Sequence, residues 1–401
     1  MRNKPAKSII ILFVIQFLVM VGFGIVIPIL PFFVSKLGGT PVTLGLFMAA
    51  YSIMQFFFAP FWGRLSDRIG RRPVLLIGLC GYGFTYFLFG LANNLWVLIL
   101  IRALSGVVSS ATLPTAMAYL TDITEEGPER SKGLGMLGAA MGLGMIFGPA
   151  LGGWFGHFVF MAPFFVAGGL SLLVVPFAWF FLEETLGTPK PMAQRTRPKI
   201  TLAVVKDPLF VLFSFNFVIT FAISMFEATF AWLAAAQVGF GTKEIGIVFG
   251  VAGVCGIIIQ GGLMGRLVKK FGDPALVVSG ALLCALGLVL IISSATGLTI
   301  ILATVVYMAG TSLAGPTTSS LVTKYATEGQ GVSLGLFQSF GSLGRMLGPI
   351  VGGVLYGLWI GLPYVGGAGI LVLIIMLNGR RILGYSVKES NSFVPNNRDL
   401  K

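Results

Sequence analysis

Twelve long apolar runs decide what this chain can fold into. They lie at about residues 9–34, 44–62, 74–92, 95–121, 133–156, 158–182, 208–234, 245–264, 275–294, 298–322, 332–357 and 359–383. A membrane-crossing helix needs about 20 apolar residues, so each run is long enough to span a bilayer. Gly and Pro inside the runs do not disqualify them, because membrane helices tolerate both. A transmembrane barrel would instead show short alternating segments. Twelve spans use roughly 240 residues, and with 10% charged residues and a mean hydropathy of +0.93 there is no sequence left for a large soluble domain. The first run exceeds a signal-peptide core and is not followed by a small-residue cleavage site, so the N-terminus is expected to be retained. The chain reads as an all-α integral membrane protein.

The net charge of +13 is a topology signal and not a nucleic-acid footprint. With the N-terminus in the cytoplasm, 23 of the 27 Lys and Arg fall in cytoplasmic segments, while the opposite side keeps Lys36 and Lys243. Arg102 and Arg345 lie inside apolar runs. By the positive-inside rule both termini are cytoplasmic and the protein is multi-pass in the cell membrane. One His and three separated cysteines, Cys80, Cys255 and Cys284, supply neither a metal site nor a disulfide framework. The thiols read as small buried hydrophobes, and no metal or cofactor is expected.

Residues 183–207, with three Pro and five basic residues, form the one substantial break. They divide the chain into an N-terminal six-helix bundle (1–182), a cytoplasmic linker (183–207), a C-terminal six-helix bundle (208–385) and a cytoplasmic tail (386–401). The halves repeat: Gly63-Arg64-Leu65 recurs as Gly265-Arg266-Leu267, and Gly148-Pro149 with Gly152-Gly153 recurs as Gly348-Pro349 with Gly352-Gly353. Two signatures in the same order at offsets of 202 and 200 residues indicate duplication, the sign of a transporter built from similar halves around a midplane site.

Four motifs carry a family resemblance over nearly the whole chain. They are GFGIVIPILP (22–31), GRLSDRIGRRP (63–73), Arg102 to Gly106, and GAAMGLGMIFGPALGG (138–153). The chain resembles the major facilitator superfamily, and within it the twelve-helix drug:proton antiporters that include bacterial multidrug and tetracycline exporters and vesicular amine transporters. The resemblance implies two pseudo-symmetric six-helix bundles, a monomer, and alternating access.

GRLSDRIGRRP supplies Gly63 and Gly70 for a tight turn, Arg68 and Arg71 among four cations, and Asp67 as the one acid able to pair with them or cap a helix. The resemblance implies a cytoplasmic latch: Asp67 meets the N-terminus of the eleventh helix, and Arg71 meets an acid at the end of the fourth, matched here by Asp122. Lys269 stands at the place of Asp67 in the second copy, so that half is expected to lack a latch. Gly144, Gly148 and Gly152 recur every four residues on one helix face, with Pro149 bending the rod, and Gly344, Gly348, Pro349 and Gly352 repeat the pattern. They are expected to let helices approach closely where the halves move.

Thirteen of fourteen acids fall in loops, helix ends or the tail; Glu227 alone sits well inside an apolar run. A charge at the bilayer centre costs about 2.5–3.5 kcal/mol, so such residues usually face a cavity and carry function. Desolvation favours its neutral form, which puts proton exchange within reach, while an ion pair with Arg345 or Arg102 would oppose that. The resemblance implies proton coupling for Arg102. Gln55, Gln260 and Gln338 with Tyr51, Phe226, Phe230 and Arg345 suggest a largely apolar substrate cavity with few polar anchors; Gln16, Asn216, Phe56 and Trp232 lie at similar depth.

The expected function is export of lipophilic, often cationic small molecules by proton exchange, Glu227 binding substrate and proton in turn. No nucleotide-binding G-x-x-x-x-G-K-[ST] loop is present. The first and tenth runs carry no acid, so Glu227 acts alone. A carrier for a sugar, lipid or other metabolite is the alternative. An enzyme is not expected, because no titratable cluster stands at a bilayer face.

Overall fold

The computed structural model describes residues 4–125, 128–185, 209–326 and 330–392, and every regular element among them is helical. In order they are α1 (Lys4–Val26), α2 (Leu30–Lys36), α3 (Pro41–Ile69), α4 (Arg71–Leu91), α5 (Leu95–Ser109), α6 (Thr112–Ile123), α7 (Pro128–Phe158) and α8 (Ala162–Phe181). Then come α9 (Phe210–Val238), α10 (Thr242–Ile257), a π-helical turn (Ile258–Leu263), α11 (Met264–Ile292), α12 (Gly297–Lys324), α13 (Gln330–Leu358) and α14 (Leu362–Ser392).

Ten described segments are long and apolar enough to cross a membrane, α5 and α6 counting as one. One of them, Thr242–Ile292, has 51 residues. As a straight helix it would reach about 75 Å, far beyond a hydrocarbon core of about 30 Å. Gly272, at φ +77°, turns the chain and makes it two crossings. The 29-residue α13 is long enough to cross but is not among those ten apolar segments; counted with them it brings the crossings among the described residues to twelve.

Three boundaries differ from the sequence expectation. The first run breaks at Val26 because Pro28 cannot donate to a helical ladder; a turn follows, and α2 restarts with Pro31 in its first turn. The fourth run is two helices, since Pro114 leaves the Ser110 carbonyl without its helical donor, and Ala111 N–H bonds Val108 O at 3.2 Å instead. The turn expected over 63–73 shrinks to one residue: α3 continues to Ile69 and only Gly70, at φ +111°, leaves the helix. Residues 186–208 of the linker and 393–401 of the tail lie outside the described residues.

The chain divides into two compact units. The first holds α1–α8 with Glu227–Gly253 and Pro349–Leu358; the second holds the earlier part of α9, Val254–Gly348 and α14. A ring cluster centres the first, where Phe89 lies 5.8 Å from Phe47, 5.7 Å from Tyr86 and 5.9 Å from Phe164. In the second, the Phe226 ring packs at a tilt against Tyr307, centroids 4.6 Å apart, and α11 and α12 meet at Gly280, Gly287 and Gly310, where an added methyl would strike facing backbone. Large side chains such as Phe180 (79% exposed) and Met376 (77%) point outward, as a lipid-facing surface demands.

Candidate functional site

Arg102 sits two turns into α5, whose start is capped by the Asn94 side chain accepting from Trp96 N–H at 2.8 Å. Gly106, one turn on, has no side chain to hold α3 away; a methyl there would strike the Tyr51 carbonyl. That close approach sets the Arg102 guanidinium 4.3 Å from the Tyr51 ring, 5.2 Å from Phe47 and 5.5 Å from Phe23. The residue is 4% exposed, and its Nε and Nη1 make no hydrogen bond among the described residues. None of the described ion pairs includes it. An arginine stays charged; cation–π contacts return about 0.5–2 kcal/mol each, against a burial cost of several kcal/mol for an ion without a counter-charge. Beside it, Gln55 donates to the Tyr51 hydroxyl at 3.4 Å and Ser109 donates to it at 2.9 Å. The cage residues Phe23 and Phe47 escaped the sequence reading; the Arg-x-x-x-Gly spacing was the signal that α5 touches a neighbour there.

Glu227 occupies the middle of α9, half-buried among the buried Met225, Phe226, Ala228, Thr229 and Phe230. Phe226 is packed against Tyr307 and Phe230 against Phe249, at 4.6 and 5.6 Å. Gln260 is exposed on the π-helical turn, a backbone form that recurs at functional sites. Gln338 and Arg345 are exposed on α13, where Arg345 Nη2 donates to Ser342 Oγ at 3.1 Å.

At the far end of α3, Arg71 Nη1 lies 2.6 Å from Asp67 Oδ1, and Nε donates to Asp122 Oδ2 at 3.0 Å. Nη1 also donates to Ser66 Oγ at 2.7 Å. The structure therefore brings Arg71, Asp67 and Asp122 together. Arg68 is exposed, and a methyl at Gly63 would meet open space. Residues 327–329, which lead into the eleventh spanning helix α13, lie outside the described residues. Sequence reasoning missed Glu184, which accepts from the backbone N–H groups of Arg71 and Arg72 at 2.9 and 3.1 Å and so caps α4.

The second half carries an equivalent pair, against expectation. Asp273, 2% exposed, lies 2.8 Å from Lys324 Nζ and accepts from Ser320 Oγ at 2.9 Å. These two positions stand 202 residues after Arg71 and Asp122, the offset at which Gly63 recurs, with the charges exchanged.

The glycine stripes pack within their own neighbourhoods. Methyls at Gly144, Gly148 and Gly152 would strike α1 between Phe17 and Ile25, and methyls at Gly344 and Gly348 would strike α9 between Phe217 and Met225. Pro149 itself lies against Gly24. Neighbouring positions make other approaches inside the first unit: Gly153 faces Gly246, Gly45 faces the Pro349 carbonyl, and Gly353 faces the Pro41 carbonyl.

The Major Facilitator Superfamily description matches residues 12–349, and again 217–390. Multidrug resistance protein 2 of Bacillus subtilis (strain 168) is 30% identical over 373 residues, covering 90% of this chain and 92% of that protein. Quinolone resistance protein NorA of Staphylococcus aureus (strain COL) is 27% identical over 374 residues, 92% of this chain and 96% of that one. Among solved structures, the human organic anion transporter MFSD10 (TETRAN) aligns with a TM-score of 0.69 at 23% identity, covering 94% of this chain and all of that one. The nucleoside transporter NupG aligns at 0.74 and 14%, covering 95% of this chain and 99% of that one.

Proposed function

The chain belongs to the major facilitator superfamily and is an efflux transporter of its multidrug type; from that premise we propose how export is driven and which residues drive it. Glu227 is the group shared by proton and cargo. The observation that carries this is its position: of fourteen acids in the chain, it is the one well inside an apolar span, half-buried at the middle of α9. Deprotonated, it binds a lipophilic, often cationic molecule from the cytoplasm or inner leaflet; protonated from outside, it releases it. Competition for one carboxylate supplies the coupling. At about 150 mV an entering proton releases roughly 3.5 kcal/mol, enough for a gradient of about 300-fold in a neutral substrate.

Arg102 is the second coupling group. Gln55, Tyr51, Phe226, Phe230, Gln260, Gln338 and Arg345 form or support the binding surface. Residues 1–182 and 208–385 act as the two moving bundles of a monomer with both termini in the cytoplasm. The Arg71–Asp122 and Asp273–Lys324 pairs then lie at the cytoplasmic face, one holding each bundle. In that orientation the Gly45–Pro349 and Gly153–Gly246 approaches lie at the outer end, which supports a cycle in which that end parts to release cargo.

Ethidium efflux from proteoliposomes under an imposed pH gradient tests the reading. Glu227→Gln is expected to abolish uphill efflux while downhill exchange survives. Uphill efflux equal to wild type would refute it.

A further inference from the structure

We propose that Arg72 and Trp179 form a docking site for the phosphate headgroup of an anionic membrane lipid, on the outer rim of the first unit. Trp179 lies in the last turn of α8, where the final carbonyls have no donor within their own helix. Arg72, the second residue of α4, supplies one: its Nη2 donates to the Trp179 carbonyl. The same guanidinium lies over the Trp179 ring, 4.6 Å from its centroid. Two contacts thus hold the cation against α8, and neither brings a negative charge. Arg71 next to it is paired with Asp67 and Asp122, and Lys324 in the second unit with Asp273, whereas Arg72 enters none of the described ion pairs. Its Nε is shut from solvent with no acceptor among the described residues. The acid facing this turn is Glu184, but its two oxygens are taken up by the backbone N–H groups of Arg71, Arg72 and Thr185. What remains is a fixed positive charge beside an exposed apolar wall, with Trp179 56%, Phe180 79% and Phe181 59% exposed. An indole at the end of a span belongs at headgroup depth, and the phenyl rings beside it suit acyl chains. The ligand that complements both parts carries a negative head on hydrocarbon. A soluble anion matches the cation alone, and a zwitterionic lipid brings an ammonium of its own. Arginine pairs with phosphate oxygens through charge-assisted hydrogen bonds, and basic groups at this depth attract anionic headgroups.

The inference rests on the proposed orientation only for the leaflet, the cytoplasmic one, and its test is made in detergent, where neither orientation nor transport enters. Native mass spectrometry of the purified full-length protein reads the first lipid bound from equimolar phosphatidylglycerol and phosphatidylcholine with matched chains. Wild type is expected to prefer phosphatidylglycerol by at least about fivefold, the worth of one basic group at a headgroup. Arg72→Gln should bring the two lipids to within about twofold of each other, and Arg72→Lys, which keeps the charge, should recover part of the preference. Lys36→Gln, at the opposite end of the spans, should keep the wild-type preference; a loss equal to that of Arg72→Gln would reduce the effect to net charge and overturn the site. Glycerol phosphate at the same concentration should leave the bound lipid in place, and displacement would assign the cation to a soluble anion and overturn the lipid. Thermal unfolding shows that each variant is folded. Should Arg72→Gln not fold, Trp179→Ala replaces it: freed from the ring, the guanidinium should lose about threefold of the preference. Equal binding of the two lipids by wild type, or an undiminished preference in the folded variant, overturns the proposal.

Discussion

Asp273 and Lys324 make the sharpest residue-scale prediction. Breaking a buried pair by removing one partner costs about 3–5 kcal/mol, but Lys324 is 44% exposed and can turn to solvent, which lowers the expected loss to about 1–2 kcal/mol. Asp273→Asn should lower thermal stability in detergent by that amount. A cycle of Asp273→Asn with Lys324→Met should show coupling of about 1 kcal/mol, and strict additivity would contradict the pairing. The pair is hidden in the sequence because the duplicated positions carry exchanged charges, Asp273 for Arg71 and Lys324 for Asp122, and an ion pair survives that exchange although the letters do not match. Arg71 and Asp122 were legible because a motif names one and helix ends limit the other. Glu184 was not, since capping an α4 that begins directly after Gly70 depends on α3 running on to Ile69.

At the scale of elements, the glycine spacing was readable and its partner was not. Periodicity says that Gly144, Gly148 and Gly152 share a face; only packing says that the face meets α1. Gly148→Leu should therefore force α1 and α7 apart and cost about 1–3 kcal/mol. Gly142→Ala, where an added methyl meets nothing within 4 Å, should be neutral or mildly stabilising through helix propensity of about 1 kcal/mol. Thermal unfolding of the two variants separates these outcomes, and equal behaviour would contradict the close approach. Helix ends were the least legible feature. Pro28 and Pro114 break runs whose apolar composition continues without interruption, because backbone donors fail there while hydrophobicity does not. The π-helical turn at Ile258–Leu263 leaves no mark in composition beyond Gly261 and Gly262.

At the scale of the whole molecule, the twelve spans and their duplication were legible because bilayer thickness imposes length and apolarity on each crossing. The orientation is a prediction of charge placement alone. In a protein whose three cysteines are replaced by Ala, a single Cys at Lys36 or Lys243 should react with an impermeant maleimide added outside intact cells. One at Arg68 or Arg266 should react only after permeabilisation. The reverse pattern would invert the topology and with it the direction of transport.

In the proposed cycle one carboxyl is contested by proton and cargo, and equilibrium binding across pH reads that contest directly. Ethidium affinity for the wild type should fall by about tenfold per pH unit once the carboxyl is mostly protonated, whereas Glu227→Gln should bind ethidium weakly and with no slope. A Glu227→Gln protein that keeps the wild-type pH dependence would show that the proton and the cargo meet elsewhere.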